Sequence, residues 1–420
     1  MILYTSGMRY GILGFGQLTG VALLRYLKNQ NITITIYDAA PLGEVQKRIG
    51  TDLPPGVDLR SDQLSEWGSD VDLLLLSPGV PMNHPIVLRA LADGVSVQSE
   101  LEFASSKLKC PMIAITGSMG KSTVSKMIYD LMLHKYNRVF LGGNYGVPLI
   151  EAVGKGYDLA VVEVSSFQLE QSTTFHPQVA LLLNIFDNHL DRHHTFENYQ
   201  HAKLKIFAHQ SPRNHALILD QLVGKLDIKT KSKITKISPK SAGHHGSQHV
   251  PEHVAFLSGM ADVFGLKQVH IEHVLDRFDA LEHRREVFEV NGWNLMNDSK
   301  STTPDATRFA LKSLAQNLHL ILGGRNKDIS IKAFARDLSQ MTQIQSIALI
   351  GDMGPVLRGE LTHANVMMSM TLKQALLDIK AVAVKGEVIL LSPGFASFDQ
   401  YENMAARGRA FKKLARDILG

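Results

Sequence analysis

The sequence predicts an α/β protein built from three domains. Strands alternate with helices in three successive stretches of the chain, and the first two stretches begin with a glycine turn between strand and helix. Such alternation is typical of parallel sheets covered by helices. A length of 420 residues also allows about three domains. We place the domains at 1–108, 109–282 and 283–420.

The first domain begins with a strand, a glycine turn and a helix within Arg9–Lys28. A second strand, Ile32–Tyr37, ends at Asp38. Together these elements resemble a dinucleotide-binding βαβ unit and predict a Rossmann-like domain. A further apolar strand, Leu73–Leu76, runs into Ser77 at the edge where α/β folds bind ligands. Because the glycine spacing is loose, the ligand of this unit could be NAD or the nucleotide part of a substrate.

The central domain is organised around a predicted phosphate-binding loop. The apolar strand Pro111–Ile115 leads to the turn Gly117–Gly120, and a helix is expected to follow. Backbone N–H groups at a helix N-terminus attract phosphate, Lys121 adds a cation, and the hydroxyl of Ser122 or Thr123 suits Mg²⁺. The usual P-loop pattern is incomplete because an isoleucine replaces its first glycine. The flanking strand and helix nevertheless favour nucleotide binding.

Glu163 lies inside another apolar strand, Leu159–Val164. A buried carboxylate is costly unless it is paired or binds a metal. With a P-loop upstream, we favour Mg²⁺ over a structural salt bridge.

The segment Lys225–Pro251 is basic and rich in serine and histidine. We interpret it as a solvated loop and assign it no function. Its histidines could suggest a metal site, but the flanking sequence contains no structural signal for one. They are His244, His245 and His249, with His253 just beyond.

The third domain begins with the strand Trp293–Met296 and a helix over Ala306–Leu314. Three more apolar strands follow, each ending in a polar or glycine-containing turn, at Leu318–Leu322, Ile347–Ile350 and Val388–Leu391. This pattern predicts another α/β layer structure.

Composition limits the location and partners of the chain. A net charge of +4 is too small to indicate nucleic-acid or membrane binding, and no apolar run approaches the length of a membrane span. The single cysteine, Cys110, excludes an internal disulfide and fits a reducing compartment. The first residues lack the pattern of a signal peptide. We therefore expect a cytoplasmic protein without membrane insertion.

Nine segments, in order, resemble those of one family, the Mur ligases of peptidoglycan synthesis. SSFQLE and the segment from SPG to ASFD are most similar to the branch that adds D-glutamate. The nine segments are GFGQLTG, ITGSMGKST, GNYGVP, VEVSSFQLE, HLDRH, FENYQHAKLKIF, NDSKSTTPDA, LILGGRNK and LSPGFASFDQYENMAARG. The resemblance implies a Rossmann-like N-terminal domain, a central P-loop ATPase-like domain and a Rossmann-like C-terminal domain.

The implied activity is an ATP-dependent amide ligation that joins D-glutamate to UDP-N-acetylmuramoyl-L-alanine. Since a carboxylate is a poor electrophile, the γ-phosphoryl group of ATP would first convert it to an acyl phosphate. Bringing two anions together requires cations, as in other phosphoryl transfers. The resemblance therefore implies ATP and two Mg²⁺ sites, and we expect a monomer without nucleic-acid partners.

The resemblance also assigns roles at the ATP and metal sites. The implied catalytic residues are Lys121, His189, Lys203 and Lys300. The implied metal ligands are Ser122, Thr123, Glu163, His189 and a carbamylated Lys203, because carbamylation turns an ammonium into an oxygen ligand. The implied ATP-binding residues are Gly117, Ser118, Met119, Gly120, Lys121, Ser122, Thr123, Arg284, Asp298 and Lys327.

The other two sites are assigned in the same way. Lys300, Thr302 and Ser397 would bind the incoming glutamate, whose carboxylates need a cation and hydroxyl donors. The residues implied for the UDP-substrate are Gly14, Phe15, Gly16, Gln17, Leu18, Thr19, Asp38, Ser77, Asn83, Asn144 and Gln168.

Three positions depart from the family pattern. Met119 replaces a small polar residue or asparagine in the loop, and Asn188 replaces an acidic residue before the metal histidine. Met404 stands where an aromatic residue is common near the glutamate side chain. The last two departures concern the second Mg²⁺ and the choice of amino acid.

Three alternatives remain open. The chain could be a related ligase that uses another amino acid or L-glutamate. It could be a nucleotide-binding regulator that has lost ligation, although such a protein has no need for the full metal and acceptor set. A dinucleotide-dependent oxidoreductase would leave the P-loop unexplained.

Overall fold

A computed structural model of the chain describes residues 7–28, 30, 32–50, 53–68, 70–186, 189–239, 250–278, 282–312, 314, 316–326 and 331–420. The chain forms two compact units. The first comprises Met1–Ile185 with Arg192–Arg277, and the second comprises Phe186–Asp191 with Phe278–Gly420. Among the described residues there are three sheets. The predicted domain boundaries near 108 and 282 remain predictions.

The first sheet has the predicted Rossmann-like arrangement. Its strands are β1 (Arg9–Leu13), β2 (Thr33–Asp38), β3 (Val57–Ser61), β4 (Leu73–Leu76) and β5 (Ser96–Ser99). They are all parallel, in the order β3-β2-β1-β4-β5. Its helices are α1 (Thr19–Leu27), α2 (Leu42–Ile49), α3 (Pro85–Ala92) and α4 (Glu100–Lys107), with a 3₁₀ turn at Leu64–Glu66.

The strand register brings three predicted residues to one edge of this sheet. Leu13 at the end of β1 pairs with Tyr37 on one side and with Leu76 on the other. Gly14, Asp38 and Ser77 therefore lie at the same carboxyl edge, where the strand order reverses.

The second sheet is also entirely parallel. Its strands are β6 (Met112–Thr116), β7 (Val139–Gly143), β8 (Leu159–Glu163), β9 (Val179–Leu182), β10 (His215–Leu219) and β11 (Lys233–Ile237). Their order is β11-β10-β9-β6-β8-β7. The helices are α5 (Lys121–Met132), α6 (Ser166–Glu170), α7 (Leu190–His193), α8 (Phe196–Leu204), α9 (Pro251–Phe264) and α10 (Gln268–Arg277), with 3₁₀ turns at Leu149–Ala152, Lys205–Phe207 and Asp220–Leu222.

Helix α4 connects the first two sheets within one apolar core. This core contains Leu101 and Phe103 from α4 together with Leu149 and Ile150 from the second sheet's side. Ser99 caps the helix by accepting the N–H of Glu102 at 3.2 Å. Two buried carboxylates on α4 also accept hydrogen bonds from the central part of the chain.

Those carboxylates are Glu100 and Glu102. The Ile150 N–H donates to Glu100 Oε1 at 2.8 Å. Glu102 accepts both the N–H and the hydroxyl of Thr173, at 2.6 and 3.0 Å, and the N–H and hydroxyl of Thr174. The two sheets are thus joined by polar contacts as well as by apolar packing.

The third sheet, in the second compact unit, is mixed. Its strands are β12 (Glu286–Val290), β13 (Trp293–Asn297), β14 (Leu318–Gly323), β15 (Ile344–Ile350), β16 (Val366–Met370) and β17 (Val388–Gly394), in the order β12-β13-β17-β14-β15-β16. Only the β12–β13 pair is antiparallel among these pairs of described strands. Its helices are α11 (Pro304–Lys312), α12 (Lys332–Gln340), α13 (Gly354–Glu360), α14 (Leu372–Val382) and α15 (Met404–Leu419).

The predicted α/β class with parallel sheets is confirmed, but one interpretation is wrong. The segment Lys225–Pro251 is not a loop throughout, because β11 lies within it and pairs with β10 through His215 and Lys233. The strand is an exposed edge, so its lysines remain in solvent and mask the apolar signal. No helix among the described residues is long and apolar enough to cross a membrane.

Candidate functional site

The predicted P-loop connects β6 to α5. Gly120, the residue before the helix, has φ +78°, a left-handed conformation that glycine adopts without strain. Lys121 begins the helix and folds back over the loop. Its Nζ donates to the carbonyl oxygens of Gly117 at 2.9 Å and Ser118 at 3.1 Å.

Asn184 holds this loop, although sequence analysis gave it no role. Its side-chain oxygen accepts the Met119 N–H at 2.9 Å, and its Nδ2 donates to the Met119 carbonyl at 3.2 Å. The Ser118 N–H donates to the Asn184 backbone oxygen at 3.1 Å. Met119 thus bonds to Asn184 through its backbone, which explains how the loop accommodates a methionine side chain there.

Glu163 lies beside the P-loop because β8 pairs with β6, with Glu163 opposite Ile115. Its side chain is only 2% exposed. The Ser122 hydroxyl donates to Glu163 Oε2, and Asn144 Nδ2 donates to Oε1 at 2.6 Å. This arrangement favours Ser122 over Thr123 as the hydroxyl next to the carboxylate.

Lys203 is buried in the same region, with 1% of its surface exposed. Its Nζ donates to the Gly117 carbonyl at 2.8 Å and lies 4.8 Å from the centre of the Tyr199 ring. Burial, reinforced by the Lys121 ammonium and opposed by the Glu163 carboxylate, lowers the pKa of Lys203 well below its usual range. An uncharged amine is therefore favoured at this position.

These residues fit a divalent cation of the Mg²⁺ type. A buried carboxylate bonded to a hydroxyl provides hard oxygen donors. The amine of Lys203 would provide a third oxygen donor only after carbamylation. Among the described residues, no three His, Cys, Asp or Glu side chains converge as metal ligands. A site here would therefore depend on hydroxyl, carbamate, phosphate and water oxygens.

Gln168 and Tyr199 position the helices next to Glu163 and the P-loop. Gln168 is buried, and its Oε1 accepts the Ser165 N–H at 3.0 Å in a capping box that starts α6. The Tyr199 hydroxyl lies 2.8 Å from Ser118 Oγ, so α8 is tied to the P-loop. Gln168 thus positions the helix that follows Glu163.

His253 lies against the P-loop, which corrects its assignment to a solvated segment. It is buried on α9, and a methyl group placed on Gly120 would lie 2.5 Å from His253 Nε2. A side chain larger than hydrogen at position 120 would therefore collide with the imidazole. His244, His245 and His249 lie outside the described residues.

A cleft of about 540 Å³ lies at the carboxyl edge of the first sheet. Asp38 organises its floor, accepting the Phe15 N–H at 2.5 Å and the Ala40 N–H at 2.8 Å. Its described lining residues are Gly14, Gly16, Gln17, Leu18, Thr19, Asp38, Arg48, Ser77, Pro78, Gly79 and Val80. The structure thus brings together most of the residues predicted for the UDP-substrate. Four of the predicted residues are not among the lining residues described, namely Phe15, Asn83, Asn144 and Gln168. Asn83 is exposed, and Asn144 bonds to Glu163 instead.

Arg48 supplies a cation to this cleft that sequence analysis missed. Its Nη1 donates to the Phe15 carbonyl at 2.9 Å and lies 3.6 Å from Asp38 Oδ1. Of the lining residues described, it is the only one with a positive charge. A helical arginine without a recognisable motif gives no sequence signal for this role.

In the second compact unit, Asp298 is buried at the end of β13. Its Oδ2 accepts the hydroxyls of Ser301 at 2.6 Å and Ser392 at 2.8 Å. Burial raises the pKa of Asp298 to about 6, while these hydroxyls and Arg285 oppose the shift. The backbone N–H of Arg285 donates to Oδ1 at 3.3 Å. The preceding residue, Arg284, is half-buried, and its assignment to ATP remains a prediction.

The remaining predicted residues differ in their environment. Lys300 is exposed, Thr302 is half-buried, and Ser397 is buried. Met404 begins α15, and its carbonyl accepts the Ser299 hydroxyl at 2.8 Å. His189 is exposed with φ +55°, in a segment that belongs to the second compact unit. Lys327 and Asn188 lie outside the described residues. The roles of all seven residues remain predictions.

Comparisons with known proteins place the chain in a family. The Mur ligase middle domain matches residues 115–264, and the Mur ligase MurD-like N-terminal domain matches residues 8–99. A UDP-N-acetylmuramoylalanine–D-glutamate ligase from Koribacter versatilis is 33% identical over 98% of both chains. The chain belongs to the Mur ligase family. A ligase of the same name from Pelotomaculum thermopropionicum is 32% identical over 97% of both chains.

A solved Mur ligase shares the fold. The MurF ligase from Thermotoga maritima, crystallised in complex with ADP, matches with a TM-score of 0.64. The match covers 92% of this chain and 95% of that one, at 15% identity. The family resemblance and the α/β fold class predicted from sequence are both confirmed.

Proposed function

We propose that the protein is an ATP-dependent ligase that joins D-glutamate to UDP-N-acetylmuramoyl-L-alanine. The observation that carries the proposal is the buried group of Glu163, Ser122 and Lys203 around the P-loop lysine. This group has no role in a simple binding module. The identity of the two substrates is supported by the names of the relatives, which match the chain over nearly its full length.

The reaction has two steps. A carboxylate oxygen of the UDP-substrate attacks the γ-phosphorus of ATP, the bond to the β-phosphate oxygen breaks, and ADP leaves. The amine of D-glutamate then attacks the acyl carbon, the acyl phosphate bond breaks, and phosphate leaves as the amine gives up a proton. Both steps depend chiefly on positioning and charge neutralisation.

The P-loop residues would bind and orient ATP. Lys121 is placed to exchange its contacts with the Gly117 and Ser118 carbonyls for phosphate oxygens. Glu163, Ser122 and carbamylated Lys203 would hold Mg²⁺, and His189 belongs to the same predicted ligand set. When bound, Mg²⁺ neutralises the negative charge that develops on the transferred phosphoryl group.

Carbamylation requires a particular state of Lys203. Its neutral amine attacks the carbon of CO₂, and one N–H proton leaves to water, giving an anionic carbamate. Burial of Nζ and the nearby Lys121 ammonium lower the pKa of Lys203, which favours the neutral amine. The carbamate then presents oxygen to the hard cation in place of an ammonium.

The other domains would supply the remaining substrate contacts. The cleft around Gly14, Asp38 and Ser77 would bind the UDP part, with Asn144 and Gln168 nearer the muramoyl part. Arg284, Asp298 and Lys327 are assigned to ATP. Lys300, Thr302 and Ser397 are assigned to D-glutamate. The enzyme would work as a cytoplasmic monomer, which light scattering of the purified protein would check.

The test is phosphate release in the presence of ATP, Mg²⁺ and UDP-N-acetylmuramoyl-L-alanine. D-Glutamate, L-glutamate, L-alanine and no amino acid are compared, and release is expected only with D-glutamate. Release with another amino acid would support the ligation chemistry but contradict D-glutamate as the amino acid that is added. Absence of release with every amino acid would favour the nucleotide-binding regulator.

A matched pair of variants links the activity to the proposed site. Glu163→Gln keeps the side-chain shape but removes the charge, and should lower the rate about 10²-fold or more. Glu197→Gln neutralises an exposed carboxylate on α8 and should leave the rate unchanged. Equal rates in the two variants would contradict the role of Glu163.

A further inference from the structure

One wall of the UDP cleft is held by residues from the central part of the chain. The wall is the loop Ser77–Val80, which follows β4 and lines the cleft. Arg192, at the end of α7, donates from Nη1 to the Gly79 carbonyl at 3.0 Å and from Nη2 to the Val80 carbonyl at 2.8 Å. Gln171, just after α6, donates from Nε2 to the carbonyls of Ser77 at 3.2 Å and Val80 at 2.7 Å.

The guanidinium of Arg192 is itself fixed in place. Its Nε and Nη2 donate to Glu170 Oε2 at 3.0 and 2.8 Å, and its Cζ lies 5.2 Å from the centre of the Phe167 ring. The planar guanidinium therefore contacts a carboxylate on one side and two carbonyls of the loop on the other. This forked geometry is specific to arginine, since lysine offers only a point charge.

The next residue connects the same place to the P-loop. His193 Nε2 lies 3.0 Å from Ser166 Oγ, and its ring packs edge-on against Tyr199 at 5.4 Å. The Tyr199 hydroxyl in turn contacts Ser118 at 2.8 Å. A continuous series of packed side chains thus runs from the cleft loop to the phosphate-binding loop.

We propose that Arg192 and Gln171 form a clamp that fixes the loop Ser77–Val80, and that Arg192 is a positioning residue for the UDP-substrate. The substrate identity rests on the proposed function. A UDP-substrate held in the cleft must deliver its carboxylate to the P-loop in the neighbouring domain. Because a displacement of about 1 Å can lower a rate about 10²-fold, the position of the cleft wall directly affects turnover.

The first test measures the clamp without any substrate. Amide hydrogen exchange is compared between the full-length wild-type protein and Arg192→Ala, in peptides covering residues 77–82. Exchange in these peptides should become at least tenfold faster, because the loop loses two charge-assisted hydrogen bonds. Unchanged exchange in this variant would overturn the proposal.

The matched control is Arg25→Ala. Arg25 forms an ion pair with Glu151, which also joins the first sheet's side to the central part of the chain. Its side chain is 60% exposed, and it is not among the lining residues described for the cleft. This variant should leave exchange in residues 77–82 as in wild type. An equal effect in both variants would show a general loosening of the domains rather than a specific clamp.

The second test is kinetic. Arg192→Ala should raise KM for the UDP-substrate about tenfold and lower kcat, while KM for ATP changes less than twofold. Arg192→Lys keeps the charge beside Glu170 but cannot reach both carbonyls, so an intermediate effect is expected. Gln171→Met preserves volume, removes the other two hydrogen bonds and should act in the same direction. It also provides the test if Arg192→Ala fails to fold.

The outcomes separate this proposal from the proposed function. If exchange accelerates but the wild-type protein releases no phosphate with D-glutamate, the clamp stands and the function is wrong. If the wild-type enzyme is active and Arg192→Ala alters neither exchange nor KM, the clamp is wrong and the function stands.

Discussion

The Nζ of Lys203 lies 2.8 Å from the carbonyl oxygen of Gly117, inside the loop that is proposed to bind ATP. A buried lysine this close to a second lysine, Lys121, is poorly placed to remain charged. Its environment instead favours the neutral amine that CO₂ requires. Burial of Lys203 in this loop therefore favours carbamylation, which the proposed metal site requires.

Replacing Lys203 by alanine should lower the rate of D-glutamate ligation about 10²–10³-fold, because the carbamate oxygen is lost. Short carboxylic acids such as acetate should restore part of the activity by occupying the vacated space. Incubation with ¹³CO₂ should give a carbamate signal by ¹³C NMR in wild type and none in the variant. Near-normal turnover in Lys203→Ala would contradict the assignment.

The control for this variant is Lys205→Ala. Lys205 lies nearby in the sequence and is half-buried, and its Nζ donates to the carbonyl of Glu170 at 2.6 Å. Any activity lost there should not respond to added carboxylic acids. Rescue of both variants would point to a general salt effect.

Lys121→Ala should abolish ATP turnover while the UDP-substrate still binds. The Lys121 ammonium donates to the P-loop carbonyls of Gly117 and Ser118, and it is not among the lining residues described for the cleft. Calorimetric titration should therefore give an affinity for the UDP-substrate within about twofold of wild type.

The control for Lys121→Ala is Lys126→Ala on the same helix, which removes an ion pair with Asp130. Its ATP turnover should be normal. Loss of UDP-substrate binding in Lys121→Ala would show that the two sites cannot be separated.

Arg48→Met should raise KM for the UDP-substrate about tenfold with little change in kcat. The guanidinium lines the cleft and would neutralise the diphosphate of the proposed substrate, an interaction made equally in the ground and transition states. Lys47→Met changes the neighbouring exposed cation on α2 and should leave both constants unchanged. A fall in kcat without a rise in KM would exclude a role for Arg48 in substrate binding.

Glu100→Gln should make stability less dependent on pH. Burial raises the pKa of Glu100 from 4.5 to about 7. The folded state therefore favours the protonated acid, and this contribution to stability is complete below about pH 4.5 and lost as the pH rises through about 7. The wild-type protein should lose about 2–3 kcal/mol of unfolding free energy from this group between pH 5 and pH 8.

Urea denaturation at the two pH values measures this difference directly. Glutamine keeps the acceptor for the Ile150 N–H but cannot ionise. The free energy of unfolding of the variant should therefore rise relative to that of wild type as the pH rises. Glu102→Gln is the matched control, since Glu102 accepts four hydrogen bonds and should be destabilised by substitution at both pH values. A wild-type curve parallel to that of Glu100→Gln would contradict the prediction.

All the strands predicted from sequence lie in the interior of the sheets, but the interior strand β10 was missed. The apolar runs that became β1, β4, β6 and β17 are shielded on both faces, so burial leaves an uninterrupted hydrophobic signal. All six edge strands were missed, namely β3, β5, β7, β11, β12 and β16. Edge strands face solvent along one side, and polar side chains conceal β3, β5, β11 and β12 from an apolar pattern. Polar side chains do not explain the other two, because β7 and β16 consist mainly of apolar residues and glycine.

The candidate site could be predicted where a residue follows a recognisable strand or motif. Glu163 and the P-loop residues belong to this class. Asn184, Arg48 and His253 do not, because their positions depend on which strands and helices become neighbours.

Helix α4 makes the first sheet's part of the chain depend on residues of the central part. Its two buried acids receive their donors from Ile150, Thr173 and Thr174, all beyond the predicted boundary at residue 108. A fragment ending at that boundary would contain both acids without these partners and would expose the apolar side of the helix. We therefore expect that residues 1–108 do not fold on their own, and that a recombination point at residue 108 would separate groups whose folding is coupled.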